Sequence, residues 1–509
     1  MHNSAVLLLS EAARKFPDRI AIDDNKNSLT YKEYNDLSMG IGTYFIKVRS
    51  GCPDTGPIAV ILPKSHRSLL LFMGILYSGN TYVPLDDKMP AARLGKILEN
   101  LCPLYIITNE KVREALLQTG YDAEKLLLFE DALNEPPDRD AVMKRVEKII
   151  DTDPVYIMYT SGSTGMPKGI AIAHRSVFDY AHWIVSTFDI TEESIFGSQA
   201  PFYFDNSVLD IYSCLLTGAK LVIIPEELFQ FPARLPEFID EKHVDTIFWI
   251  PTVMINVANS GALDEEGRKL PHLKRVMFCG EPMPNKPLNV WRKRLPGVLF
   301  ANLYGPTEIT DVCTYYIVDR EFEDSDPLPI GIPCKNTRTL ILTENDTKAD
   351  TGEIGELCIL GSSLALGYWR SPDITEKAFT DNPLNSNYKE KIYHTGDLVF
   401  MSEDGLIMFV GRKDSQIKHK GNRIELGEIE TAAKSIPGIQ NACVLYDQTE
   451  QQIVLFIEST DDSLTLRIIN NSLIKLVPKY MLPGKLTAME KLPYNANGKI
   501  DRVALRASL

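Results

Sequence analysis

The chain has 509 residues, 44% of them hydrophobic and 24% charged, with a formal net charge of −14. That length exceeds what one hydrophobic core usually supports, so two or three structural units are expected, in a protein of ordinary soluble, globular composition. The acidic balance argues against a general binder of nucleic acid or of anionic membrane, although a local basic patch could still dock an acidic partner.

The N-terminus, MHNSAVLLLSEAARKFPDR, holds only a short apolar run before acids appear. It lacks the basic start and long apolar core of a signal peptide, and reads as an amphipathic helix. PIAVILP (57–63) is a buried strand, and SHRSLLLFMGILYSG is a helix ending in Gly79, too short and interrupted to span a bilayer. TYVPL and LYIIT (104–108) continue the alternation. YTSGSTGMPKG (159–169) then breaks it with four hydroxyls besides the tyrosine, three glycines and one lysine. Small donors, flexible backbone and a single cation suit phosphate oxygens, although most Ser/Gly loops are plain surface loops. It is not a P-loop, because Pro167 precedes Lys168 and Gly169 follows it, which is ill suited to starting a helix at the lysine. A mobile loop fits better.

KLVIIP (220–225), DTIFWIP (245–251) and KRVMFCG (274–280) resume the β-rich runs. Continuous apolar strands separated by helices imply parallel strands covered on both faces. The character changes near GRKDSQIKHKGNRIELGEIE (411–430), after which NACVLY, QIVLFIE and two helices make a small α+β domain. The expected domains are residues 1–413 and 414–509, hinged at Asp414. Eight scattered cysteines show no CxxC or CxxH spacing, which reads as a reduced, cytoplasmic set rather than a disulfide frame or a zinc site.

Six segments resemble, in order and spacing, the adenylate-forming ligases, and among them the amino-acid adenylation enzymes and D-alanyl carrier protein ligases. They are YTSGSTGMPKG, NLYGPTE (302–308), GELCILGSSLALGYWRSPDITEKAF (355–379), YHTGDL (393–398), the 411–430 stretch and PYNANGKIDR (493–502). The resemblance implies a large N-terminal domain of packed, mostly parallel sheets with helices and a small distorted barrel, plus a small mobile α+β domain. It implies attack of a carboxylate on the ATP α-phosphate with release of pyrophosphate, a reaction carried by positioning and charge stabilisation. By the same resemblance Thr160, Ser161, Gly162, Ser163, Thr164, Gly165 and Lys168 hold the β- and γ-phosphates. Thr307 touches the α-phosphate and Glu308 holds Mg²⁺, a hard cation that prefers oxygen. Asn302, Tyr304 and Gly305 belong to the adenine motif, Asp397 accepts from the ribose hydroxyls with Arg412 close behind, and Lys499 bridges the substrate carboxylate and the α-phosphate. Read singly, Asp397 could be a turn residue and Lys499 a surface lysine.

The resemblance places the amino-acid pocket at Asp205, Asn206, Leu209, Phe248, Met277, Cys279, Gly280, Leu303, Asp311 and Val312. Asp205 matches the acid that pairs with the substrate ammonium, and it weighs against an acyl- or aryl-CoA synthetase; a helix N-cap role is compatible with both. Phe248, Leu303 and Val312 are larger than the Thr- or Ala-like residues of D-alanyl ligases, and one methyl of clash is worth roughly 1–3 kcal/mol. Glycine is therefore expected, with D-alanine second. Asp311 departs from the family and could instead receive a basic side chain. The second step implied is transfer to the phosphopantetheine thiol of a carrier, as in teichoic acid or lipid A decoration, after a swing about Asp414 that withdraws Lys499 and brings in KHKGNRIE with its Gly421. DDSL (461–464) is similar to a carrier attachment motif, but no carrier bundle fits in the remaining residues, so the carrier is expected as a separate chain. A noncatalytic adenylate binder would not need Lys168, Glu308 and Lys499 together. Monomer is the default expectation.

Overall fold

The computed structural model describes residues 3–48, 55–162, 166–263, 270–413, 416–461, 463–493, 500–506 and 509. Two compact units emerge. The larger comprises residues 1–87, 102–158 and 170–411, and the smaller gathers residues 88–101, 159–169 and 412–509.

In the larger unit the apolar runs become strands buried on both faces. Pro57–Ile61, Thr81–Leu85 and Tyr105–Thr108 are buried at every position. They pair in parallel within a seven-stranded sheet that also includes Leu126–Leu128, Pro154–Thr160, Lys168–Ala173 and Gly367–Tyr368. A nine-stranded sheet carries a parallel centre, Leu299–Tyr304, Arg275–Phe278, Thr246–Trp249, Ile195–Ser198, Lys220–Ile223 and Ile20–Asp23 in spatial order. Its edges are antiparallel: Thr314–Ile317 and Ile332–Pro333 on one side, Ser28–Thr30 on the other. Parallel strands need covered faces, and the helices Val6–Lys15, Tyr31–Val48, His66–Tyr77, His174–Thr187 and Asn206–Thr217 bury apolar faces in the core that these sheets share. A third, five-stranded sheet is antiparallel at Thr337–Leu342, Gly355–Gly361, Lys391–Met401 and Phe379–Asp381.

The smaller unit has its own apolar core. Asn441–Asp447 and Gln452–Glu458, both near-continuous buried apolar runs, pair antiparallel, and Lys485–Met489 adds a parallel third strand. Gln416–His419 and Asn422–Glu425 form a hairpin whose two turn residues, Lys420 and Gly421, both have positive φ, the conformation of a tight two-residue hairpin turn. The helix Leu426–Lys434 follows, then Leu466–Leu473 capped by the Thr465 hydroxyl. A further short helix, Arg502–Arg506, corrects the expectation of two. Within DDSL, whose Asp462 lies outside the described residues, the Ser463 backbone N–H donates to the Asp461 carboxylate at 2.9 Å. Among the described residues no helix is long and apolar enough to cross a membrane.

Candidate active site

The strand Pro154–Thr160 leads into the Ser/Gly loop, and Lys168 opens a strand rather than a helix. The Thr160 hydroxyl is buried and has no hydrogen-bond partner. Ser161 donates to the Arg423 carbonyl at 2.7 Å and accepts from the Glu425 N–H at 3.2 Å, so this hydroxyl is tied to the hairpin. Gly162 must lack a side chain, because a Cβ there would overlap the Met166 carbonyl and crowd Lys168. Arg412 ends the strand Ile407–Arg412, half-buried. Ser163, Thr164, Gly165, Asp414 and Lys499 lie outside the described residues.

In the larger unit the strand Leu299–Tyr304 delivers the NLYGPTE segment. The Tyr304 hydroxyl donates to the buried Asp397 carboxylate, and burial, reinforced by Asp397, pushes that hydroxyl's pKa well above its usual range. Asp397 is held in turn by its N–H on the Thr395 hydroxyl at 3.0 Å. Thr307 and Glu308 sit on a single tight turn, Thr307–Ile309, and both are buried. Glu308 accepts from the Tyr368 hydroxyl at 2.7 Å. Asn302 turns its amide to the Pro329 carbonyl at 2.8 Å, which fixes the neighbouring chain, while Gly305 packs against the backbone of Asp311 and Val312.

Asp205 precedes the helix Asn206–Thr217 with a helical backbone and accepts from the adjacent Asn206 N–H at 3.1 Å, one residue short of the N–H groups that a side-chain cap serves. Beyond it Leu209, Phe248, Met277, Cys279, Leu303 and Val312 are all buried and belong to one continuous apolar cluster. Phe248, Met277, Cys279 and Leu303 come from parallel strands or just beyond one and Leu209 from the helix, as open α/β sheets assemble sites, while Val312 lies in the loop before the antiparallel strand Thr314–Ile317. Gly280 follows with φ 99°. Asp311 has a left-handed backbone, φ 76°, and its buried carboxylate accepts from the Tyr180 hydroxyl at 2.6 Å. That bond gives it an internal partner, which weakens the case for a basic substrate side chain.

Several participants escaped the sequence reading. The Tyr156 hydroxyl is buried without a hydrogen-bond partner, and its pKa is driven up by burial and by the charges of Asp205, Tyr212 and Asp311. Tyr156 therefore stands near both carboxylates of the candidate amino-acid pocket. Tyr180 and Tyr368 serve acids far away in the chain, and no local pattern signals them. Lys64 is half-buried and donates to the Ser198 carbonyl at 2.8 Å, its pKa lowered by burial and partly restored by Asp210 and Glu226. Asp210 lies one turn beyond Asn206 with both carboxylate oxygens lacking hydrogen bonds, and burial raises its pKa. An acid among apolar neighbours in SVLDIY was the available signal.

The AMP-binding enzyme model matches residues 9–369. The D-alanine–D-alanyl carrier protein ligase of Listeria welshimeri is 33% identical over 523 aligned positions, covering 99% of each chain. Zwittermicin A synthase ZmaJ of Bacillus cereus is 32% identical, covering 98% of this chain and 94% of that one. Tyrocidine synthase 1 of Brevibacillus parabrevis is 31% identical over 98% of this chain, which spans only 44% of that protein. Among solved structures, an artificially fused adenylation–PCP di-domain NRPS from Klebsiella oxytoca superposes with a TM-score of 0.79 at 21% identity, covering 96% of this chain and 94% of that one. An NRPS protein containing adenylation and PCP domains gives 0.81 at 24%, covering 100% and 84%. The expected fold class and the expected resemblance are both borne out. By its fold, its ordered motifs and this match, the chain belongs to the AMP-binding enzyme family.

Proposed function

We propose that this enzyme activates glycine as an aminoacyl adenylate, releasing pyrophosphate, and passes it to the phosphopantetheine thiol of a separate carrier protein. The observation that carries the reading is Asp205 at the head of a helix whose Leu209 joins Phe248, Met277, Cys279, Leu303 and Val312 in one buried apolar cluster. A carboxylate there gives a protonated amine the opposite charge it needs when it leaves water. In this reading the bulk of these side chains excludes a long substrate side chain. The relatives named as D-alanine–D-alanyl carrier protein ligases support an amino acid and a carrier, and keep D-alanine as the second reading. An acyl- or aryl-CoA synthetase would have no use for the acid at 205.

The residues present suit ATP and Mg²⁺. The unpartnered Thr160 hydroxyl and the side-chain-free Gly162 are fit to meet phosphate, and the Glu308 carboxylate is the oxygen donor a hard cation prefers. Mg²⁺, when bound, neutralises charge on the triphosphate. In this reading Lys168 and Lys499 supply cations to the phosphates and the substrate carboxylate, Thr307 donates to the α-phosphate, and Tyr304 presents its ring to adenine. Asp397 accepts from the ribose, which requires its bond with Tyr304 to share or yield. Asp414 is the proposed hinge for transfer. Asp414→Pro should slow thioester formation more than adenylation, and equal losses would remove that role.

Amino-acid-dependent pyrophosphate exchange tests the whole reading. Glycine should give the strongest exchange, D-alanine a weaker one. A clear preference for alanine or ornithine would overturn it. Intact-mass measurement of candidate carrier proteins after incubation with ATP and mixed amino acids identifies the acceptor.

A further inference from the structure

The five-stranded sheet of the larger unit assembles a side-chain cluster that the adenylation chemistry does not use. Glu356 and Cys358 are two residues apart on Gly355–Gly361 and therefore point to the same face. His394, on Lys391–Met401, is in register opposite Cys358. Its Nδ1 lies 3.4 Å from the Cys358 Sγ and 3.2 Å from a Glu356 carboxylate oxygen. One ligand atom from each residue falls within 4.8 Å of the other two, and no other such group occurs among the described residues.

A single ring nitrogen carries one proton or one lone pair, yet this one faces both a thiol and a carboxylate. A divalent ion would satisfy all three at once. With zinc bonds of about 2.0–2.3 Å, tetrahedral neighbours lie about 3.4–3.6 Å apart, close to the two separations at Nδ1. The outer contacts are also in place. The other ring nitrogen, Nε2, is 3.0 Å from the Thr380 hydroxyl, which can accept its proton and fix the tautomer. The second Glu356 oxygen accepts from the Gly396 N–H at 3.0 Å, anchoring the carboxylate. Cys358 is fully buried, while the side chains of His394 and Glu356 are 25% and 13% exposed, leaving an approach from one side.

We propose that Glu356, Cys358 and His394 form a zinc site, with three protein ligands and one position open to water. The thiolate and imidazole select a soft-to-borderline metal, and this separates the site from Mg²⁺ and from Glu308. On binding, Cys358 releases its thiol proton to solvent and His394 coordinates through Nδ1 with its proton on Nε2. The absence of CxxC or CxxH spacing does not count against it, because strand pleat and cross-strand register bring the ligands together. The site also grips the strand one residue before Asp397, through Gly396.

The test uses the full-length enzyme, stripped of metal and titrated with Co²⁺ as a spectroscopic stand-in, then with Zn²⁺ in competition with a chelator. One equivalent of Co²⁺ should give a thiolate-to-cobalt charge-transfer band that Zn²⁺ bleaches. Cys358→Ser should abolish the band, and Thr380→Val should weaken binding about 10–100-fold. If Cys358→Ser does not fold, the half-exposed His394→Gln should remove stoichiometric binding instead. No band at one equivalent, a band surviving Cys358→Ser, or unchanged affinity in His394→Gln would each overturn the assignment.

Discussion

Leu303 and Phe248 are each at most 2% exposed, so their volume is spent inside the molecule, next to the candidate amino-acid pocket. If that volume excludes alanine, Phe248→Ala or Leu303→Ala should raise exchange with alanine relative to glycine by about 10–200-fold, the range that one methyl of discrimination spans. The expected cost to folding is about 2–5 kcal/mol, so the exchange is to be measured well below the melting temperature. If neither variant gains on alanine, the volume reading fails. The same scale shows where sequence reading stops. The motifs marked Asp311, Glu308 and Asp397, but their partners are tyrosines. Tyr180 on Asp311, Tyr368 on Glu308 and Tyr304 on Asp397 are bonds across 131, 60 and 93 residues. A tyrosine in an apolar run looks like core until its hydroxyl's partner is known.

The helix Asn206–Thr217 ties the pocket acid to the Lys64–Asp210 pair. With Lys64 removed, buried Asp210 would lose the opposite charge that favours its ionised form. Lys64→Met should therefore destabilise by about 3–5 kcal/mol, whereas the double variant Lys64→Met/Asp210→Leu should recover most of that loss. Thermal unfolding of the four-member set measures it. Additive losses would mean that the two groups do not interact. Elements, too, differed in how legible they were. Strands such as Pro57–Ile61 announced themselves because burial on both faces demands an unbroken apolar run. Lys485–Met489 did not, since it is only half-buried along its length and has no such run. The hairpin of residues 416–425 carried no strand expectation, because its two strands are only four residues each and the sequence there is charge-dense.

At the scale of the molecule, the sequence shows a change in character near residue 411, but not the joining of 88–101 and 159–169 to the C-terminal residues. Those segments are local strand, loop and helix in sequence, and only tertiary packing assigns them. Stability of the larger unit should carry a mark of His174, whose Nδ1 accepts from the Ala5 N–H at 3.1 Å and so secures the N-terminal segment. Burial lowers its pKa from 6.5 to about 3. The folded ring resists a proton that the unfolded chain takes up, so acid favours unfolding. Stability should fall as pH drops below about 6.5, by up to about 1.4 kcal/mol per pH unit, and this contribution should level off near pH 3. His174→Asn should flatten that part of the profile; an unchanged slope would show that other groups govern it.

The most direct measurement concerns the ammonium. Pyrophosphate exchange of Asp205→Asn, followed against glycine and against ATP separately, asks whether this carboxylate meets the substrate amine. Loss of a desolvated charge pair, about 2–5 kcal/mol, should raise the KM for glycine at least about 30-fold while the KM for ATP stays within a factor of about two. An unchanged glycine KM, or parallel rises for glycine and ATP, would contradict the amino-acid reading at its centre.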